Sequence, residues 1–231
     1  NDKHRDLNPK IYWITQDKAK SFFINNPYVF SVLNEEEKYN IKNIKFDLVI
    51  NLEEDLENAK FVSSLLMKKI IGVFVNKKGD LDYTKESGYW FDMSIISKDG
   101  KERADILKKK NKKTHRQIIS EIVGIKNYLK YEPFIRLTEK QRKIARNFSK
   151  KYGLSNKFII FGINTGSGDR WPKQLSVDKT IKLIEVLNKK YNAKFLIFGG
   201  ENEEKRNKEI ITKSKVPLID TGCKNNLIEF S

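Results

Sequence analysis

Short apolar runs alternate with segments whose apolar residues recur at helical spacing, and the alternation becomes more regular toward the C-terminus. Residues 10–15 (KIYWIT), 46–52 (FDLVINL) and 70–75 (IIGVFV) read as strands, the last rich in β-branched side chains. A short helix is expected over 17–23, and a longer one from the acidic Glu53-Glu54-Asp55 through Met67. The polar stretch 76–89 reads as a hairpin or excursion. Thr114 with Gln117, and Thr138 with Gln141, have the spacing of capping boxes, in which the hydroxyl accepts a first-turn N–H and the amide reaches back. Ile118, Ile122, Ile125 and Leu129 share a helical face behind the first box. Ile144, Phe148 and Tyr152 do so behind the second, with Gly153 as the residue that ends the helix.

Pro133 interrupts this pattern and sets the expected boundary between two domains, 1–133 and 134–231. Beyond it the order is strand 158–163 (FIIFGI), loop 164–174, and a helix capped by Ser176 that buries Val177, Ile181, Ile184 and Leu187. Strand 193–198 (AKFLIF), Gly199-Gly200, helix 203–214 and strand 216–220 (VPLID) follow. Continuous apolar strands alternating with amphipathic helices predict an α/β fold with a parallel sheet covered on both faces. The sequence has no internal repeats.

Composition narrows the classes. The 231 residues are enough for one large or two small domains. Fourteen Phe, nine Tyr and three Trp exclude a disordered chain, and no apolar run is long enough to span a bilayer as a helix. Cys223 is the only cysteine, so a disulfide framework and an all-cysteine metal site are excluded. His4 and His115 have no cysteine or paired carboxylate at ligand spacing, so no metal site is expected. Trp13 and Trp90 are expected in the core and Cys223 as a packed thiol. The chain stops about one turn into a helix begun near Asn225, and residues are expected to be missing at both ends.

The net charge is +16, and residues 106–116 (ILKKKNKKTHR) hold six basic residues and no acid. Three readings apply to this run: a solvated loop, a contact for an anionic acceptor or membrane surface, and a nucleic-acid patch. They rank in that order, because no aromatic interleaves with the basic residues to form a base-stacking platform.

The chemistry-bearing segment is Asn-Thr-Gly-Ser-Gly-Asp-Arg-Trp-Pro-Lys at 164–173, leaving the carboxyl end of the first strand of the second domain. Doubly wound sheets bind ligands at that edge. Gly166 and Gly168 allow close backbone approach, Thr165 and Ser167 supply hydroxyls, and Arg170 and Lys173 bring positive charge ahead of the helix at Ser176. Such a convergence suits a diphosphate; the plainer reading is a tight connection whose glycines only permit the turn. Gly200, Glu201 and Glu203 leave the next strand at the same edge. A carboxylate there can hold ribose hydroxyls, or can simply favour the helix N-terminus.

The segments GINTGSGDRWPKQLSVDKTIKLIEVL, FLIFGGENEEKRNKEI and LIDTGCKNNLIEFS, with PKIYWIT, FDLVINLEED and KKKNKKTHRQIISEIVGI before them, resemble glycosyltransferase family 9, the heptosyltransferases of lipopolysaccharide core assembly and their relatives. The similarity runs over nearly the whole chain and is most specific in the loop 164–176. The resemblance implies a GT-B-like α/β architecture of two Rossmann-like domains with parallel sheets, both incomplete in this chain. It makes 1–133 the acceptor-side domain and 134–231 the nucleotide-sugar-binding domain. The implied reaction is metal-independent, inverting transfer of a heptose-like sugar from a nucleoside-diphosphate sugar, an ADP-sugar first, to a saccharide or lipopolysaccharide-type acceptor. No cofactor is implied beyond the donor substrate.

By the same resemblance the donor diphosphate falls to Thr165, Gly166, Ser167, Gly168, Arg170 and Lys173, and the nucleoside to Gly200, Glu201 and Glu203. An anionic saccharide or lipid-linked acceptor falls to Lys112 and Lys113, in a cytoplasmic protein at the inner face of the plasma membrane. Leu175 stands where the family commonly has an aromatic. The family's strand and Gly-Asp loop with the proposed catalytic Asp would precede Asn1, and its Asp-Thr-Gly-Pro-His-like segment would follow Ser231. No catalytic residue is therefore named, and the fragment alone is expected to be inactive. The alternatives are a basic nucleic-acid-binding α/β protein and a nucleotide-sugar epimerase of similar fold.

Overall fold

The structure is a computed structural model that describes residues 9–133, 135–167 and 173–225. The chain folds as two compact units, Asn1–Gln16 with Pro27–Phe134 and Asp17–Asn26 with Ile135–Ser231. The return of 17–26 to the second unit is a connection that the boundary at Pro133 does not contain.

The first unit holds strands β1 (Tyr12–Ile14), β2 (Ser31–Leu33), β3 (Lys45–Phe46) and β4 (Val49–Asn51), and β1 is followed by helix α1 (Asp17–Lys20), which belongs to the second unit. Helix α2 (Leu56–Ser63) then leads to β5 (Leu66–Met67), β6 (Ile70–Val75) and β7 (Leu81–Tyr83). Helices α3 (Gly88–Phe91), α4 (Gly100–Lys110) and α5 (His115–Ile122) complete it. The pairs β1–β2, β3–β5 and β4–β6 are parallel, and β6–β7 is the antiparallel hairpin expected from the polar stretch 76–89. Met67 lies in a strand rather than at a helix end, because α2 stops at Ser63 with Ser64 as its cap.

Polar side chains and one glycine fix this unit at single points. Gly72 in β6 has φ +105°, and a Cβ there would lie 1.8 Å from the Asn51 carbonyl oxygen. Only glycine permits that approach. The buried Asn51 side chain donates to the Val73 carbonyl at 2.9 Å and accepts the Glu53 N–H at 3.2 Å, closing the end of β4. Lys38 is buried yet paired with Glu35 and bonded to Asn58 Oδ1 at 3.0 Å. The Tyr83 hydroxyl donates to Asp92 Oδ1 at 2.7 Å and accepts the Lys98 N–H at 3.2 Å.

Helix ends account for several departures from the sequence pattern. Thr114 caps α5 by accepting the Gln117 N–H, but the Gln117 amide turns forward to Glu121 instead of reaching back. The helix stops at Ile122, since Gly124 takes φ +80° and the Ile125 N–H closes onto the Ser120 carbonyl at 2.7 Å. Ile118 and Ile122 are buried, whereas Ile125 and Leu129, beyond that stop, are exposed. Trp13 is exposed at 47%, not a core residue. The basic run is helical to Lys110, placing three lysines in the last turn of α4, where the helix dipole favours cations.

The second unit continues with α6 (Glu139–Lys151), β8 (Ile159–Asn164), α7 (Val177–Lys190), β9 (Ala193–Phe198), α8 (Glu204–Lys213) and β10 (Leu218–Asp220). Its strands form one parallel sheet in the order β10-β9-β8. Ile184, Phe195, Ile197 and Ile210 are buried together, with Val177, Ile181 and Leu187 packed against them, as the helical spacing requires. The Thr138–Gln141 capping box is complete, and Gly153 takes φ +59° past Tyr152. Helix α6 nevertheless has no buried residue, and Ile144 is 47% exposed.

Candidate functional site

The register of the second sheet brings three loops to one edge. Ile163 pairs with Ile197, Ile197 with Asp220, and Asn164 with Phe198, so the segments starting at Thr165, Gly199 and Thr221 leave side by side. This is the carboxyl edge of a parallel sheet, where doubly wound folds place ligands.

The loops are joined by a buried polar network. Thr165 is 5% exposed; its hydroxyl lies 3.1 Å from the Phe198 carbonyl oxygen and bonds Asn207 Oδ1. Asn207 on α8, 2% exposed, reaches Cys223 Sγ through Nδ2 at 3.4 Å. One amide thus ties the segments after β8 and β10 to α8. Burial pushes the Cys223 thiol above its ordinary value, keeping it protonated in this network.

Glycine acts here by admitting neighbouring loops. A Cβ on Gly199 would stand 2.7 Å from both Asn207 Nδ2 and Glu203 Cβ, and one on Gly166 would stand 2.9 Å from the carboxyl carbon of Glu203. Gly166 gives its N–H to Asn164 Oδ1 at 3.0 Å, and Gly200 gives its own to Glu203 Oε2 at 2.8 Å. The Glu203 carboxylate therefore sits against the Gly166 backbone while it closes the turn that starts at Gly200. Glu201, next to that turn, is exposed.

Ser167 and Lys173 flank the rest of the loop: the Lys173 N–H donates to Ser167 Oγ at 3.1 Å. Lys173 is exposed, and its ammonium meets no acidic partner among the described residues. Gly168 and Arg170 lie outside the described residues. The N-terminus of α7 follows, with Ser176 accepting the Lys179 N–H at 3.3 Å.

These observations separate the proposed donor residues. Ser167, Lys173 and the Gly166 and Gly200 backbones lie at the surface of one sheet edge, while the Thr165 hydroxyl is turned inward and used by the fold. Two side chains were missed by sequence reasoning. Asn207 carried a signal, being a polar residue on the helical face of Ile210 and one turn from Glu203. Arg206, whose guanidinium donates to the Leu175 carbonyl and whose Nε is buried without a partner among the described residues, carried none.

In the first unit, Lys112 is exposed, but Lys113 is committed. Its ammonium pairs with Glu121 at 2.5 Å and lies 4.4 Å from the Tyr89 ring centroid. The hydrogen bond to Glu121 raises the Lys113 pKa. Among the described residues no cluster of three His, Cys, Asp or Glu can hold a metal ion, and no helix is long and apolar enough to cross a membrane.

No protein-family model matches the sequence, and no curated protein does. Solved structures do match in fold. A glycosyl transferase family 9 protein from Veillonella parvula DSM 2008 superposes with TM-score 0.68 at 16% identity, over 95% of this chain and 62% of that one. ADP-heptose lps heptosyltransferase II of E. coli superposes with TM-score 0.57 at 11% identity, over 99% of this chain and 68% of that one. This chain thus spans less than two thirds of the length of the Veillonella protein. At these identities the likeness is one of fold: the chain has the α/β architecture, with parallel sheets, of GT-B-type glycosyltransferases.

Proposed function

We propose that the chain is part of a glycosyltransferase and that the carboxyl edge of its second sheet binds the diphosphate of a nucleoside-diphosphate sugar. The observation that carries this reading is the convergence of three loops at that edge, two of them drawn together by glycine, with the exposed Lys173 at the helix side. An exposed lysine just ahead of a helix N-terminus suits the charge that builds up on a leaving diphosphate. Arg170 and Gly168 join this set in the proposal. The Glu203 carboxylate repels phosphate and accepts from hydroxyls, so it suits the ribose, one loop away from Lys173.

The finer reading takes a heptose-like sugar on ADP as donor, a saccharide acceptor on the first unit, and an inverting, metal-independent transfer at a cytoplasmic membrane surface. The carboxylate base that such a transfer needs is assigned to no residue here. Lys113 is the weaker of the two acceptor-side lysines, because Glu121 already neutralises it.

Calorimetric titration of the 231-residue chain with ADP, UDP and GDP tests the donor site. Saturable binding is expected, with ADP tightest, and Lys173→Ala should weaken it about tenfold, the size of one charge-assisted hydrogen bond. Oligonucleotide binding tighter than any nucleotide, with a steep salt dependence, would favour the nucleic-acid alternative instead.

A further inference from the structure

A second concave site lies wholly within the first unit, at the carboxyl end of β4. It is a pocket of about 280 Å³ lined by Glu54, Trp90, Met93, Ser94, Ile95, Lys108 and Asn111. Each element contributes for a local reason. Asp55 caps α2 by accepting the Asn58 N–H, and so leaves Glu54 in the loop ahead of the helix. The turn after α3 supplies Met93 to Ile95. The last turn of α4 supplies Lys108, and Asn111 is fixed by the Tyr89 hydroxyl at 2.8 Å and the Lys113 N–H at 2.9 Å.

The polar groups in this pocket are available. The Glu54 carboxylate makes no hydrogen bond or ion pair among the described residues, although Lys108 lines the same pocket. Lys108 itself has only a 3.7 Å contact with the exposed Asp105. The Trp90 indole N–H donates to none of the described residues and is not sealed from solvent. Ser94 Oγ accepts the Ile96 N–H at 3.2 Å and keeps its own hydrogen. The apolar part is the Trp90 ring, the buried Met93, and Ile95, which is 78% exposed at the lip.

A free Glu54 carboxylate and a lysine held only by one long contact to Asp105 share the pocket, and together they disfavour ligands of either single charge. Acceptor, donors and an indole face together suit a ring that carries hydroxyls on its edge and C–H groups on its face. We propose that this pocket binds a neutral saccharide ring, and that Glu54 and Lys108 select it against charged sugars. Calling that sugar the acceptor rests on the transferase reading above; the pocket's ligand class does not. Such a contact would be neutral and on the Glu54 side, whereas the resemblance implied an anionic one at Lys112 and Lys113.

The test follows amide shifts of the whole chain by NMR during titration with methyl α-mannopyranoside, mannose 6-phosphate, glucosamine and glycine, with a nucleoside diphosphate titrated into the same samples. The neutral glycoside should move residues 54, 93–95 and 108–111 and bind tightest. Glu54→Gln should weaken it about tenfold, and Ile95→Ser should weaken it less, both with nucleotide affinity unchanged. Both substitutions are at partly or fully exposed positions and spare the fold; Trp90 packs into two core clusters and is left intact. Tighter binding of the phosphate, the amine or the zwitterion overturns the proposal. So does a glycoside response unaffected by both variants, or nucleotide binding with no glycoside response. Glycoside binding without nucleotide binding upholds the pocket and overturns the donor reading.

Discussion

In the second unit, three strands of three to six residues lie in one parallel sheet, and the helices between them present apolar faces at regular spacing. In the first unit, strands of two to six residues pair in three separate groups over three apolar clusters, and single groups fix the strand ends and crossings: Asn51, Lys38, Tyr83 and the missing side chain of Gly72. One unit rests on a single core under a repeated pattern; the other divides its core into three clusters and adds individual locks. A repeated pattern loses stability in proportion to what is cut from it. A lock fails outright when its one atom is wrong.

The largest expected effect follows from the tightest lock. Gly72→Ala drives a Cβ into the Asn51 carbonyl at a positive φ, and should cost at least about 3 kcal/mol. Hydrogen exchange should show the first unit opening while amides of β8 and β9 stay protected. Equal loss in both units would break the distinction.

Ile184→Ala removes a fully buried side chain from the other unit and should cost about 3 kcal/mol. Its effect should be confined to the second unit and should be graded, with Ile184→Val losing about 1 kcal/mol. An all-or-none response to the valine would contradict the account.

Tyr83 gives the smallest effect, with a pH signature. Burial, more than the nearby Asp92 carboxylate, pushes its phenol up to about 12 from an ordinary value of 10.0. A pKa raised on folding contributes stability that is whole below the unfolded value and is lost as pH climbs toward the folded one. The first unit should therefore weaken between about pH 10 and 12. Tyr83→Phe should cost about 1 kcal/mol at neutral pH and flatten that alkaline loss. A slope unchanged in the phenylalanine variant would mean that another group controls it.

The same contrast sets what the sequence discloses. The second sheet is legible because residues 158–163, 193–198 and 216–220 are apolar apart from Lys194 and Asp220 and are separated by amphipathic helices. In the first unit the strand 31–33, the short helix α3 and the helix α4 are not anticipated, since none carries a sustained period. Ile125 and Leu129 continue the face of α5 in sequence, yet Gly124 ends the helix first; a glycine outweighs two matching apolar positions because it supplies the left-handed turn. At the candidate site, the glycines and Lys173 are visible as a loop composition. The inward turn of Thr165 is not, because it depends on Asn207, forty-two positions away. Glu54 was visible as part of an acidic helix start, but its pocket depends on a turn forty residues further on.

The central claim is that the carboxyl edge of the second sheet receives a nucleoside diphosphate. Its most direct test is an amide-shift map of the full chain titrated with ADP. The account predicts saturable shifts concentrated at Gly166, Ser167, Lys173, Gly200 and Glu203, with the first unit still. No shift at that edge under saturating nucleotide, or shifts centred in the first unit, would contradict it.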